Sequence, residues 1–166
     1  FKTKKIDGIS GLKKTYEGTI TLGATTPSFD CETDIDKTYP TNHITKELIL
    51  ATVKTFLGTI NQKPPIYSAI KKDGKRLYKY ARAGEIVEIK SREIEIFEFS
   101  ITNINIPDID FKICCSKGTY IRSIANDFGK RINSGGYLSM LKRTEIGEFK
   151  INNAYRVDDF IEKNLI

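Results

Sequence analysis

Two segments of the chain combine residue types that suit a polyanionic substrate. From Pro64 to Gly84, Lys71, Lys72, Lys75, Arg76, Lys79 and Arg82 interleave with Tyr67, Tyr78 and Tyr80. Cations neutralise phosphates and aromatic rings give platforms for unstacked bases, the mixture that looped or single-stranded RNA requires. The same letters would also suit a solvated basic hairpin whose tyrosines pack inward. The second segment, Cys115 to Ser123 (CSKGTYIRS), leads from a strand into a helix. Free amides at that helix start, with Lys117 and Arg122 alongside, would attract a phosphate or a carboxylate. Read structurally, it is a strand-to-helix turn with a buttressing arginine.

Other signatures of chemistry are missing. The single histidine, His43, stands in a polar loop before a helix. One imidazole with no evident partner makes neither a catalytic dyad nor a metal site, so it reads as a surface or capping residue. The chain holds no P-loop, no G-x-G-x-x-G and no G-x-S-x-G, which argues against nucleotide-driven chemistry. Metal catalysis is not expected either. Cys31, Cys114 and Cys115 are odd in number, two are adjacent, and none forms a C-x-x-C pair; they read as reduced thiols of a cytosolic protein. No apolar run approaches the ~18 residues of a membrane span, and no signal core follows the basic start. The expectation is a soluble, cytoplasmic protein with no membrane partner.

The elements that must hold these residues are legible in outline. Lys14 to Gly23 alternates, with Tyr16, Ile20 and Leu22 on one face of a strand. Residues 24–43, rich in Thr, Asp, Pro and Asn, should form a long surface loop. A helix over residues 45–56 is expected, with Thr45 as N-cap, Gly58 as stop, and Leu48, Ala51, Val53 and Phe56 near one stripe. Pro64-Pro65 breaks what precedes it. Asp73-Gly74 signals a tight hairpin between Ile70 and Leu77, and Leu77 to Ala83 should form a short helix closed by Gly84. Arg92 to Ile106 is strand-like, with a parity shift at Ile96–Phe97 that suggests a bulge. Ile109, Phe111, Ile113 and Cys115 alternate in its partner. Residues 120–132 have helical spacing, with Ser116 or Thr119 as cap. Gly135-Gly136 ends that helix, Leu138 to Phe149 returns as a strand pair, and a short helix follows from Val157 to Lys163. This is an α+β pattern with a mixed, largely antiparallel sheet flanked by helices.

Length and charge bound the reading. With 166 residues, 39% of them apolar, the chain suits one domain with a real core. The net charge of +6 is modest, but it is unevenly spread. Residues 61–92 and 112–143 each carry +6, whereas residues 93–111 carry −5. Two basic blocks brought together by folding suit a nucleic acid; ordinary solvated lysine faces are the alternative.

A family resemblance gathers these features. QKPPIYSAIKKDGKRLYKYARAG resembles the Pro-Pro, Tyr-Ser-Ala, Lys, Gly-Lys-x-Leu-Tyr, Ala-Arg-x-Gly string of TruB-type tRNA pseudouridine synthases. SKGTYIRSIANDFG followed by GYLSMLKRTEIGEF is similar to that family's Lys-Gly-Thr-Tyr-Ile-Arg segment and the Leu-x-Arg-x-x-x-Gly strand after it. KTYEGTITLGATTPSFDCET resembles its Tyr, Leu-Gly, Thr and Asp stretch. The three run in the family's order and span nearly the whole chain.

The resemblance implies a pseudouridine synthase-like core with an RNA-gripping insertion at about residues 64–90. The implied activity is isomerisation of the T-loop uridine at tRNA position 55 to pseudouridine, without cofactor or metal. The implied partner is the T stem-loop of tRNA, met by a monomer. By motif, Tyr16 should stack on the flipped uracil and act with Arg122 in catalysis. Tyr120 and Leu141 should contact the base, and Arg122 should pair with the catalytic aspartate. Lys71, Lys72, Lys75, Arg76, Lys79, Arg82, Lys117 and Arg143 should bind RNA. The family's Gly-Thr-Leu-Asp-Pro motif does not occur in these 166 residues; by family spacing its aspartate should lie upstream of Phe1. Asp30 and Asp127 fit loop and helix positions and are no substitute. Residues 1–166 are therefore expected to be a partial catalytic domain, inactive alone and without a full C-terminal PUA domain. A non-catalytic RNA-binding or tRNA-folding protein of the same fold is the alternative. An upstream Gly-Thr-Leu-Asp segment separates the two.

Overall fold

The computed structural model describes residues 6–164. Ten strands and five α-helices follow in chain order: α1 (Ile6–Ser10), β1 (Lys14–Leu22), β2 (Ala24–Thr25), β3 (Lys37–Thr38), α2 (Lys46–Lys54), β4 (Gly58–Gln62), β5 (Lys71–Lys72), β6 (Lys75–Arg76), α3 (Leu77–Arg82), β7 (Arg92–Asn105), β8 (Asp108–Cys115), α4 (Ile121–Arg131), β9 (Gly136–Ile146), β10 (Phe149–Lys150) and α5 (Val157–Asn164). Six strands make one sheet in the order β10-β9-β1-β8-β7-β4, with β1 and β8 at its centre. Each of its ladders is antiparallel. An isolated parallel bridge joins Asp30 to Leu138 beside it. The expected α+β architecture is the one observed.

Helices α2 and α4 cover one face. Their apolar stripes close the core against Ile20, Leu22, Ile94, Ile96, Ile109 and Ile113 of the strands. Four phenylalanines knit the layers: Phe56 meets Phe99 at 5.8 Å and Phe128 at 6.0 Å, and Phe99 meets Phe111 at 6.1 Å. Such offset and edge contacts add to the area buried. Helix α4 seats closely on β9. A Cβ at Gly129 would fall 2.1 Å from the carbonyl carbon of Gly135 and 2.2 Å from the amide of Gly136.

The local signals mostly correspond to the observed elements. Thr45 caps α2, its hydroxyl accepting from the Leu48 amide at 3.2 Å. Asp73 and Gly74 both take positive φ (51° and 77°), the conformation of the hairpin turn that joins β5 and β6. The β7–β8 register slips between Ile96 and Glu98, where the bulge was expected. His43, an exposed loop residue, bonds the carbonyl of Ile132 at the end of α4 at 2.8 Å, a capping contact.

Three expectations are corrected. The buried stripe of α2, continued by Phe56 two residues past its end, is Ile49, Thr52 and Val53, whereas Ala51 is exposed and Leu48 half-buried. Leu48, Ile49 and Leu50 are consecutive, so the pattern admits two stripes, and the i, i+3, i+4, i+7 set facing the sheet prevails. Residues 24–43 are not wholly loop, since Ala24–Thr25 pairs with Lys37–Thr38. Neither Ser116 nor Thr119 caps α4. The Ser116 hydroxyl accepts from the Glu95 amide, and Thr119 donates to the Ser116 carbonyl.

Candidate active site and RNA-facing surface

The candidate residues stand in two groups, Tyr16, Leu141 and Arg143 on β1 and β9, and Tyr120 and Arg122 at the start of α4. Tyr16 of β1 is half-buried, with Ile113 of β8 and Arg143 of β9 as cross-strand partners. Two residues on, Gly18 pairs with Leu141. Residues i and i+2 share a face, and so do cross-strand partners, so Tyr16, Leu141 and Arg143 stand on the same side of the sheet. Leu141 remains 44% exposed, an apolar side chain open to a ligand. Burial is the largest influence on the Tyr16 phenol and raises its pKa; Cys115 adds to this and the adjacent Arg143 opposes it. Gly18 leaves room there, since a Cβ would come within 2.7 Å of the Phe111 ring.

Tyr120 and Arg122 follow from the turn between β8, the neighbour of β1, and α4. Cys115, the last residue of β8, has a thiol that burial pushes up to about 11. That thiol donates to the Lys14 carbonyl at 3.7 Å, two residues before Tyr16. Two guanidinium groups approach the Tyr120 ring, that of Arg92 at 4.9 Å and that of Arg122 at 5.9 Å from its centroid. Arg92 also bonds the Gly118 carbonyl. The amide of Tyr120, expected to be open to a ligand, is taken instead by Gln62 at 2.8 Å.

Arg122 is held from two sides. Its Nη1 donates to Asp30 Oδ2 at 2.8 Å and its Nη2 to the Tyr67 carbonyl at 2.7 Å. Both side chains of the ion pair are mostly shielded, at 20% and 24% exposure. Asp30 is itself fixed in place. Its carbonyl accepts from Thr26 Oγ1 at 2.7 Å, and the preceding Phe29 sits at φ 66° and accepts from the Leu138 amide. A guanidinium has five N–H donors, so donors remain for a second carboxylate.

The basic segment of residues 64–84 is tied to the start of α4. Ser123 Oγ donates to the Lys63 carbonyl at 3.0 Å, next to the Arg122–Tyr67 bond. Lys71 and Arg76 on the hairpin and Lys79 on α3 are exposed. Others are partly engaged: Lys75 with Glu85 at 2.7 Å, Lys72 with the Glu88 carbonyl at 2.9 Å, and Arg82 with Glu32 at 4.0 Å. Exposed pairs of this kind are weak and can be exchanged for phosphates. Tyr80 is used within the insertion, lying under Lys75 and donating to the Lys72 carbonyl; Arg82 lies over Tyr78. A groove of about 530 Å³ runs between Ile70, Lys71, Leu77, Lys90 and Arg92. Lys117 and Arg143 are exposed on the turn before α4 and on β9, apart from the insertion in sequence.

Sequence reading missed Gln62 and Arg92, and no periodicity marks either. It placed Asp30 in a loop, where it is, but did not pair it with Arg122, although the motif around Tyr16 runs as far as that aspartate. Among the described residues, no group of three or more His, Cys, Asp or Glu is placed to hold a metal ion. None of the described helices is long and apolar enough to cross a membrane.

Known proteins resemble this chain in sequence and in fold. Residues 1–121 match the model of the TruB family pseudouridylate synthase (N terminal domain). The tRNA pseudouridine synthase B of Flavobacterium johnsoniae is 59% identical over 160 residues, covering 96% of this chain and 70% of that protein. That of Parabacteroides distasonis is 48% identical over 167 residues, covering 99% and 71%. Among solved structures, a Cbf5-Nop10-Gar1 complex aligns with a TM-score of 0.69 at 22% identity. An H/ACA RNP bound to a substrate RNA containing 2'-deoxyuridine aligns with a TM-score of 0.65 at 19% identity. Both alignments cover 99% of this chain but only 41% and 40% of those chains, and they speak to the fold.

Proposed function

The chain belongs to the TruB family of pseudouridylate synthases, and from that premise we propose that it forms most of the catalytic domain of an enzyme converting the uridine at tRNA position 55 to pseudouridine. The observation that supports the reading is the Arg122–Asp30 pair beside Tyr120, bonded at the same time to the Tyr67 carbonyl at the start of the basic segment, with Tyr16 and Leu141 sharing a face of the adjoining sheet.

The reaction breaks the N-glycosidic bond, turns the base and rejoins it through carbon 5. A uridine stacked in the T loop must first leave the stack, at a cost of a few kcal/mol. In this reading the ring of Tyr16 takes the place of the lost stacking partner, and Leu141 walls the base from water. Tyr120 contacts the substrate from the turn, and the remaining donors of Arg122 aim the carboxylate of the Gly-Thr-Leu-Asp-Pro segment. That segment is not in the 166 residues, so turnover belongs to a protein that carries both. The insertion at about residues 64–90 holds the T stem-loop through Lys71, Lys72, Lys75, Arg76, Lys79 and Arg82, with Lys117 and Arg143 extending the contact, and a monomer suffices.

Tyr16 and the lysines should separate kinetically. Tyr16→Ala is expected to lower the rate at saturating RNA about a hundredfold while changing Kd much less. Lys71→Ala and Lys75→Ala are expected to weaken binding several-fold, and each should flatten the slope of log affinity against log salt by about 0.7–0.9. Single-turnover rates and filter-binding titrations on a T stem-loop RNA measure both. If all three variants changed thermal stability alone, the site assignments would be wrong.

A further inference from the structure

We infer that Gln62 is a positioning residue for this site: its side-chain amide fixes the backbone of Tyr120 and so sets the aim of Tyr120 and Arg122. The inference rests on the reading of those two residues as substrate-facing. Gln62 ends β4 and is 1% exposed. Both ends of its amide serve one residue. Oε1 accepts from the Tyr120 amide at 2.8 Å, and Nε2 donates to the Tyr120 carbonyl at 3.0 Å. That carbonyl also takes the first helical bond of α4, from the Ile124 amide at 3.2 Å.

Tyr120 is the N-cap of α4 and makes no side-chain capping bond. Ser116 and Thr119 are committed elsewhere. The extended backbone with which the chain leaves the turn (φ −96°, ψ 109°) is therefore held by a side chain 58 positions away. Arg122 follows two residues later, and a small rotation at Tyr120 would swing its guanidinium away from Asp30. Misplacement of a reacting group by about 1 Å can cost about a hundredfold in rate. The partner of Gln62 is main chain, so an apolar replacement leaves a buried amide and carbonyl short of a partner.

Gln62→Met keeps the shape and removes both bonds. Gln62→Glu keeps the acceptor but turns an oxygen toward the Tyr120 carbonyl. Once protonated, the acid restores both bonds, since its O–H donates where the amide N–H did. The test uses a protein carrying this chain together with the Gly-Thr-Leu-Asp-Pro segment, with single-turnover rates at saturating T stem-loop RNA and Kd measured in parallel, below the melting temperature of each variant. Gln62→Met is expected to slow turnover about thirtyfold with Kd moved less than about threefold. Gln62→Glu should match it at pH 8 and regain most of the loss, relative to wild type, at pH 6. Thr52→Ala removes a buried hydroxyl bond to the Leu48 carbonyl within α2, away from the site, and controls for stability; its rate should stay within about threefold of wild type.

A wild-type rate in Gln62→Met, a loss confined to Kd, or no recovery of Gln62→Glu at low pH would overturn the inference and leave the enzymatic reading standing. Should Gln62→Met not fold, the two pH values of Gln62→Glu carry the test. Should the wild type itself fail to convert the uridine, the enzymatic reading falls separately. Hydrogen exchange at the Tyr120 amide then decides whether Gln62 holds that backbone: protection lost in either variant supports it, and protection kept refutes it.

Discussion

Replacing Arg122 by Ala should lower turnover of T-loop RNA by about three orders of magnitude or more, because one guanidinium both orders the site and balances its charge. Its two bonds, to Asp30 at 2.8 Å and to the Tyr67 carbonyl at 2.7 Å, are made in a largely shielded setting. Removing it leaves the Asp30 carboxylate without its cation. For a fully buried pair that costs about 3–5 kcal/mol, and the residual exposure here brings the stability loss down to about 1–3. Arg122→Lys separates charge from geometry. An ammonium is a point charge and cannot reproduce the planar fork, so Arg122→Lys should fold yet remain about a hundredfold slow. Steady-state kinetics with melting curves on both variants check this. Full activity in Arg122→Lys would show that the fork is not needed.

The second large effect is on the fold. Gly129→Ala should destabilise the protein by about 3 kcal/mol or more, a loss that few single changes cause. The added Cβ would meet the Gly135 carbonyl carbon at 2.1 Å, the Gly136 amide at 2.2 Å and the Gly135 oxygen at 2.3 Å. All three are backbone atoms, so no rotamer change relieves the clash. Helix α4 would have to lift from β9, carrying Arg122 and the buried Phe128 with it. Gly8→Ala, whose Cβ would meet nothing within 4 Å, is the control and should change stability by less than about 0.5 kcal/mol. Thermal unfolding of the two variants decides it, and a Gly129→Ala protein that melts with the wild type would refute the close seating of α4.

What the letters revealed and what they withheld divide along sequence distance. The Asp73-Gly74 turn and the Thr45 cap each depend on residues a few positions apart, and each could be read before any coordinates. The alternation of β1 and the amphipathic face of α4 were legible for the same reason, since periodicity records which face is buried. The contacts that organise the site span much longer gaps: 58 positions from Gln62 to Tyr120 and 92 from Asp30 to Arg122. No local pattern encodes them. The capping of α4 was misread because Ser and Thr near a helix start are ordinary caps, whereas here a glutamine from the sheet edge holds the cap residue. In α2 the run of three apolar residues hid which stripe faces inward. Tyr16, Tyr120, Arg122 and Leu141 were nominated by resemblance; periodicity would have assigned Leu141 to the core, yet it is 44% exposed.

The double anchorage of Arg122 has a thermodynamic corollary. One planar cation spans a carboxylate on the Asp30 loop and the main chain of Tyr67, at the base of the basic hairpin. Two equilibria that share a member are linked, and linkage is symmetric. If the hairpin grips the T loop as proposed, whatever factor that grip contributes to the preference of the cation for its catalytic pose, an occupied base pocket must return to the affinity of the hairpin.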